Sequence, residues 1–167
     1  MANRVVDQKI IDNNKRSLLK YVIVADGSAT SNTALVSFAN LAFAINATGA
    51  ISNTNPKASY GMTVKRIYGY SNMQSAGAYG LLGWLNDANS AIVSFKTGAF
   101  DYNMTGTSGD GAVITSPAAN TKGLGLTFAS PTSGDSITLF VDLRKDSADF
   151  DAGQTADPTA FNARGII

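Results

Sequence analysis

The segment Asp135-Ser-Ile-Thr-Leu-Phe-Val-Asp-Leu-Arg-Lys145 alternates apolar and polar residues almost without a break. Successive side chains of a strand point to opposite faces, so Ile137, Leu139, Val141 and Leu143 share one face and Ser136, Thr138, Asp142 and Arg144 the other. A strand with one apolar face requires a sheet packed on something else. Phe140 interrupts the polar face, which predicts that another element or another chain covers part of it. Gly134-Asp135 supplies the turn before this strand, and Pro131 closes whatever precedes it.

Similar short apolar runs recur along the chain. Strands are predicted over Leu18–Ala25, Met62–Tyr70, Tyr79–Asn86, Ala91–Lys96, Ala112–Thr115 and Gly123–Phe128. Turn signals separate them: Asp26-Gly27, Asn55-Pro56, Ser75-Ala-Gly77, Asn86-Asp-Ala-Asn89, Gly106 to Gly111 and Ser133-Gly134. This spacing predicts an all-β fold, an antiparallel β-sandwich of jelly-roll-like type. Residues 37–45 fit two periods. Phe38, Leu41 and Ile45 fall at helical spacing, whereas Leu41, Phe43 and Ile45 alternate, and the expectation leans to strand.

Three domain segments are expected: an N-terminal arm over 1–17, a sandwich body over 18–145 and a C-terminal tail over 146–167. Residues 1–17 have no clean period. The tail mixes Asp, Ala, Gly and Pro158 with Phe150, Phe161, Ile166 and Ile167, apolar side chains that need burial on the body or on a neighbour. Charge divides the same way: residues 1–20 carry net +3, and residues 142–157 carry net −3. Complementary ends of this kind solvate a surface or fix the register of neighbouring subunits.

The chain contains no His, Cys or Glu, so every one of its 12 carboxylate side chains is an Asp. These absences exclude Ser-His-Asp and Cys-His nucleophiles, zinc held by His or Cys, and structural disulfides. No cofactor and no metal is expected. No apolar run approaches the roughly 18 residues of a membrane span, and the N-terminus lacks the apolar stretch of a signal peptide. Neither membrane nor export is expected.

Several constellations invite chemistry. Ser17-Leu-Leu-Lys20, Tyr70-Ser-Asn72 and Lys96-Thr-Gly98 follow the order of short motifs used by penicillin-recognising serine enzymes. Activation of Ser17 would need Lys20 one helical turn away, but the run that follows is strand-like and sends the two side chains to opposite faces. Asp142, Asp146, Asp149 and Asp151 offer oxygens for calcium, without the spacing of a calcium loop. The Gly106 to Gly111 loop lacks the Lys-Ser/Thr ending of a phosphate loop. Direct nucleic-acid binding is not expected from cations diluted by Asp7 and Asp12. Trp84, Tyr68, Tyr70, Tyr79 and Tyr102 are candidates for stacking on a sugar.

Thr63-Val-Lys-Arg-Ile-Tyr-Gly-Tyr70, Gly80-Leu-Leu-Gly-Trp-Leu85 and Ser133 to Lys145, with the basic arm and short strands rich in small residues, resemble small structural proteins of tailed-phage virions, especially marine and cyanobacterial ones. The likeness spans residues 18–145. It implies a non-enzymatic virion protein made in the host cytoplasm, most often a capsid decoration or cement protein that binds the major capsid protein shell as a homo-oligomer, commonly a trimer. Neck, tail or fibre positions, including a host-glycan recognition module, are the alternative. On this reading Arg4, Lys9, Lys15 and Arg16 meet the acidic or carbonyl-rich capsid surface, and Phe161, Ile166 and Ile167 dock in apolar grooves, with Arg164 beside them. Deleting residues 1–17 is then expected to leave the body folded and abolish attachment.

Overall fold

A computed structural model describes residues 3–85, 91–104, 114–116 and 122–150. Among these, ten strands form two antiparallel sheets: β1 (Arg4–Asp12), β2 (Arg16–Asp26), β3 (Thr30–Ser37), β4 (Met62–Asn72), β5 (Tyr79–Trp84), β6 (Ala91–Phe95), β7 (Gly98–Asn103), β8 (Ile114–Thr115), β9 (Gly123–Ala129) and β10 (Ser133–Lys145). The six-stranded sheet runs β1-β2-β10-β4-β7, with β8 also paired to β4. The second sheet runs β3-β9-β5-β6.

The best-alternating segment becomes the centre of the larger sheet. β10 pairs along most of its length with β2 on one side and β4 on the other. Its Ile137, Leu139, Val141 and Leu143 are completely buried. They meet Leu19, Tyr21 and Ile23 of β2, Val64 and Ile67 of β4, and Leu82, Trp84, Leu124, Leu126 and Phe128 of the second sheet in one core. Full burial of an aliphatic or aromatic side chain contributes roughly 1.5–3 kcal/mol, so this alternation is the main source of the sandwich's cohesion.

Small residues set how closely the strands approach. A Cβ at Gly123 would overlap the carbonyl oxygen of Val36, and one at Gly69 would overlap that of Thr138. Glycine there lets β3 close on β9 and β4 close on β10.

The structure changes four expectations. Residues 37–45 are not one strand: Ser37 ends β3, Phe38–Asn40 forms a single 3-10 turn, and only Ala44 and Ile45 make isolated bridges. Phe38 and Leu41 are both buried, and Phe43 has φ of +63°, which breaks the extended run. Residues 4–12 form the edge strand β1 instead of a free arm. Their missing period follows from exposure, since every residue from Arg4 to Ile10 is open to solvent. β3 and β7 are further strands that the apolar pattern did not mark. The body also extends past Lys145, because Phe150 is fully buried with its ring 5.6 Å from that of Tyr60. The Gly106 to Gly111 loop and residues 151–167, with Phe161, Arg164, Ile166 and Ile167, lie outside the described residues.

Polar groups lock the ends of the sandwich. Asp135, fully buried, accepts bonds from the backbone N–H of Gln74 and of Thr132, both at 2.8 Å. Asp149 accepts from Lys57 Nζ at 2.7 Å and from the N–H of Gly61 at 2.6 Å. The side-chain oxygen of Asn46 accepts from the N–H groups of Thr48 and Ala50, which organises the turn after the 3-10 segment.

Tyr21 adds a pH dependence. Burial holds its phenol well above the ordinary pKa of 10.0, with Asp7 on the neighbouring strand adding repulsion for the phenolate. Above about pH 10 the unfolded chain releases this proton while the folded chain keeps it, so the unfolded state binds fewer protons and stability falls as pH rises. Wild type is expected to lose up to about 1.4 kcal/mol per pH unit more than Tyr21→Phe above pH 10, measured as urea midpoints. Parallel pH profiles for the two proteins would refute this account of Tyr21.

Candidate interaction surface

The outer face of the six-stranded sheet carries the side chains that alternate with the core. Register aligns them in rows. Val6, Val22, Thr138, Tyr70 and Ala99 lie opposite one another across β1, β2, β10, β4 and β7, and Gln8, Lys20, Phe140, Tyr68 and Asp101 form the next row. Cross-strand neighbours on one face stand about 4.5–5.5 Å apart at Cβ, close enough for each row to interact continuously.

Phe140 and Tyr68 stack with ring centroids 4.8 Å apart and planes 3° from parallel. Lys20 Nζ lies 5.8 Å from the Phe140 centroid, and the Arg66 guanidinium lies 4.8 Å from that of Tyr68. The expected cover over Phe140 thus comes from its own cross-strand neighbours. Arg66 also holds Asp101 through two bonds, with Nε to Oδ1 at 2.8 Å. That pairing keeps the Asp101 carboxyl below the usual carboxylate range and raises the Arg66 pKa. A second two-pronged pair joins Arg16 Nε and Nη2 to Asp142 at 2.7 and 2.8 Å. Planar pairing of this kind fixes a guanidinium in one orientation.

On the same face, Val6 and Tyr70 stand at either side of the row that Val22 and Thr138 complete, and Val24 stands in the row beyond. Val6, Val24 and Tyr70 are 49%, 38% and 55% exposed, values that leave large side chains open to a partner. No family model, no curated protein and no solved structure matches this chain.

The four described cations singled out in the sequence do not form one patch. Arg4 opens β1, and Lys9 sits midway, its Nζ donating to the Asn40 carbonyl at 2.6 Å. Lys15 lies in the β1-β2 turn, where the Asn13 side-chain oxygen accepts from the N–H groups of both Lys15 and Arg16 at 2.9 Å. Arg16 is committed to Asp142. Strand geometry of about 3.3 Å per residue puts Arg4 and Arg16 at opposite ends of the hairpin.

Other candidates resolve into structure. Ser17 is fully buried and its Oγ donates to Asp12 at 2.8 Å, while Lys20 faces outward beside Phe140, so the serine-lysine pairing fails. Ser71 donates to the Lys96 carbonyl. Among the described residues no three acidic side chains cluster to hold a metal, and Asp142, Asp146 and Asp149 each have protein partners. Trp84 is 2% exposed and packs edge-on to Phe38 at 6.1 Å, which removes it as a sugar platform. Outward alternation was the available signal for the surface that does emerge. Tyr68, Tyr70 and Phe140 all carried it, but the rows that join them depend on pairing between distant segments.

Proposed function

We propose that this protein is a non-enzymatic structural component of a tailed-phage virion, a decoration or cement protein that binds the major capsid protein shell through the outer face of its six-stranded sheet. The observation that carries the binding role is the exposure of the large apolar side chains Val6, Val24 and Tyr70 on the face that also holds oriented arginine pairs. Aromatic residues and arginine are enriched where proteins meet, and prearranged side chains lose less entropy on docking. The resemblance to virion proteins supplies the setting. A shell offers many copies of one site, so a modest single contact becomes firm when the bound protein is itself linked into oligomers.

The glycan-recognition alternative loses its main anchor with Trp84 in the core, and no observation favours a neck, tail or fibre position. Imaging intact virions with labelled protein tests the location: density spread over the capsid shell is expected, and density confined to neck, tail or fibre overturns the decoration role. Purified protein added to particles lacking it tests the face. Tyr70→Asp with Val24→Asp is expected to fold normally and bind the shell at least about tenfold more weakly, as interface anchors of this size do. Unchanged occupancy would remove this face from the contact.

A further inference from the structure

β1 ends the six-stranded sheet, and among the described residues its outer edge has no partner strand. It is nine residues long, with no Gly and no Pro, and Val5, Val6 and Ile10 are 41%, 49% and 44% exposed. An edge of this kind presents alternate unpaired N–H and C=O groups to any strand of suitable pattern. The pattern that suits it is its own.

Read outward from Gln8, the sequence Arg4-Val-Val-Asp-Gln-Lys-Ile-Ile-Asp12 mirrors itself with charge reversed. Asp7 balances Lys9, Val6 balances Ile10, Val5 balances Ile11 and Arg4 balances Asp12. We propose that β1 pairs antiparallel with β1 of a second copy of this chain, about a twofold axis through Gln8, joining two six-stranded sheets into one continuous sheet.

Register selects this axis. A twofold perpendicular to the sheet places residues of the same face opposite each other, so the axis must pass through a residue. At Asp7 it would oppose two carboxylates, and at Lys9 two ammonium groups. At Val6 it would set Val5 against Asp7, and at Ile10 it would set Lys9 against Ile11. Only Gln8 matches opposite charges and joins aliphatic to aliphatic.

The ladder has a defined extent. β1 carries a bulge between Lys9 and Ile11, and beyond it Asp12 turns inward to Lys145 at 2.6 Å. The regular intermolecular pairs are therefore Gln8 with Gln8, and Asp7 with Lys9 together with its symmetry mate, while Val6 meets the bulged Ile10 at each end. Lys9 donates to the Asn40 carbonyl and lies 3.7 Å from Asp12, yet its side chain is 40% exposed, so Asp7 of the other copy can approach it from the open edge. The twofold contact differs from the trimer implied by the virion resemblance, and it does not depend on what the outer face binds.

Sedimentation velocity on the full chain tests the pairing. Wild type is expected as a dimer in the micromolar range. Asp7→Lys alone opposes two pairs of ammonium groups, and Lys9→Asp alone opposes two pairs of carboxylates. Each variant should self-associate at least about tenfold more weakly, because two symmetry-related pairs turn from attractive to repulsive. An equimolar mixture of the two variants restores opposite charge in every pair and should recover the dimer. Asp7 is exposed, so Asp7→Lys keeps the test informative if Lys9→Asp, which loses the Asn40 contact, proves unstable. A monomeric or trimeric wild type would overturn the proposal, as would an Asp7→Lys protein that dimerises as tightly as wild type.

Discussion

Replacing Lys145 with methionine is expected to destabilise the fold by about 3–5 kcal/mol, read as a lowered guanidinium midpoint. The Lys145 side chain is 0% exposed, and its three donors all have partners: Asp12 Oδ1 at 2.6 Å, the Asn13 carbonyl at 2.6 Å and the Ala42 carbonyl at 2.8 Å. Its Nζ also lies 4.9 Å from the centroid of the Phe150 ring. Asp12 in turn accepts from Ser17 Oγ at 2.8 Å and from the N–H of Ala42 at 2.9 Å, with Lys9 Nζ 3.7 Å away.

One ammonium thus ties the ends of β1 and β10 to the loop after the 3-10 turn. Methionine keeps the apolar stem but leaves a largely buried carboxylate without its closest cation and two carbonyls without a donor. Most of the cost belongs to the stranded charge. Asp12→Asn in the same chain removes that charge, so the double variant should regain roughly half of the loss, with the coupling read from a double-mutant cycle. A single variant within about 1 kcal/mol of wild type would show that Lys145 does not hold the carboxylate as described.

Deleting residues 1–12 is expected to cost at least about 5 kcal/mol, comparable to the whole stability of a typical domain, and to abolish cooperative unfolding. This reverses the expectation that the body stays folded without residues 1–17. Ser17 is a buried residue of β2, and Asp12 is the partner of Lys145. The strand's exposed side chains contribute little apolar burial. Its loss acts instead through the ladder that covers β2 and through an ammonium left buried without a carboxylate. Adding Lys145→Met to the deletion should therefore recover stability, although the same substitution harms the full chain. Circular dichroism and denaturant melts distinguish the cases; a truncated protein that melts like the full chain would show that β1 is an accessory after all.

β10, β2, β4 and β9 were legible because each has one face in the core, and burial of one face writes a period of two into the residues. β1 was not legible, because a strand exposed on both faces from Arg4 to Ile10 has no buried face and no pressure to alternate. The 37–45 segment misled for the opposite reason: Phe38, Leu41 and Ala44 are all buried, and burial of an irregular turn imitates either period. The surface was partly legible. Phe140 announced itself as an apolar residue on a polar face, but Tyr68 and Lys20 reach it only through the pairing of β10 with β4 and β2.

The all-β class, the apolar face of β10 and the lack of His, Cys and Glu chemistry were readable residue by residue, because these depend on local period and on which side chains exist. Tertiary structure decided what each polar residue does. Parity alone already set Lys145 on the same face as Leu143, an apparent error in an apolar stripe. Only the pairing of β1 with β2, and of β2 with β10, brings Asp12 to it from 133 positions away in the chain. Pairing over such distances is selected by the summed fit of two whole sheets, which no local pattern encodes.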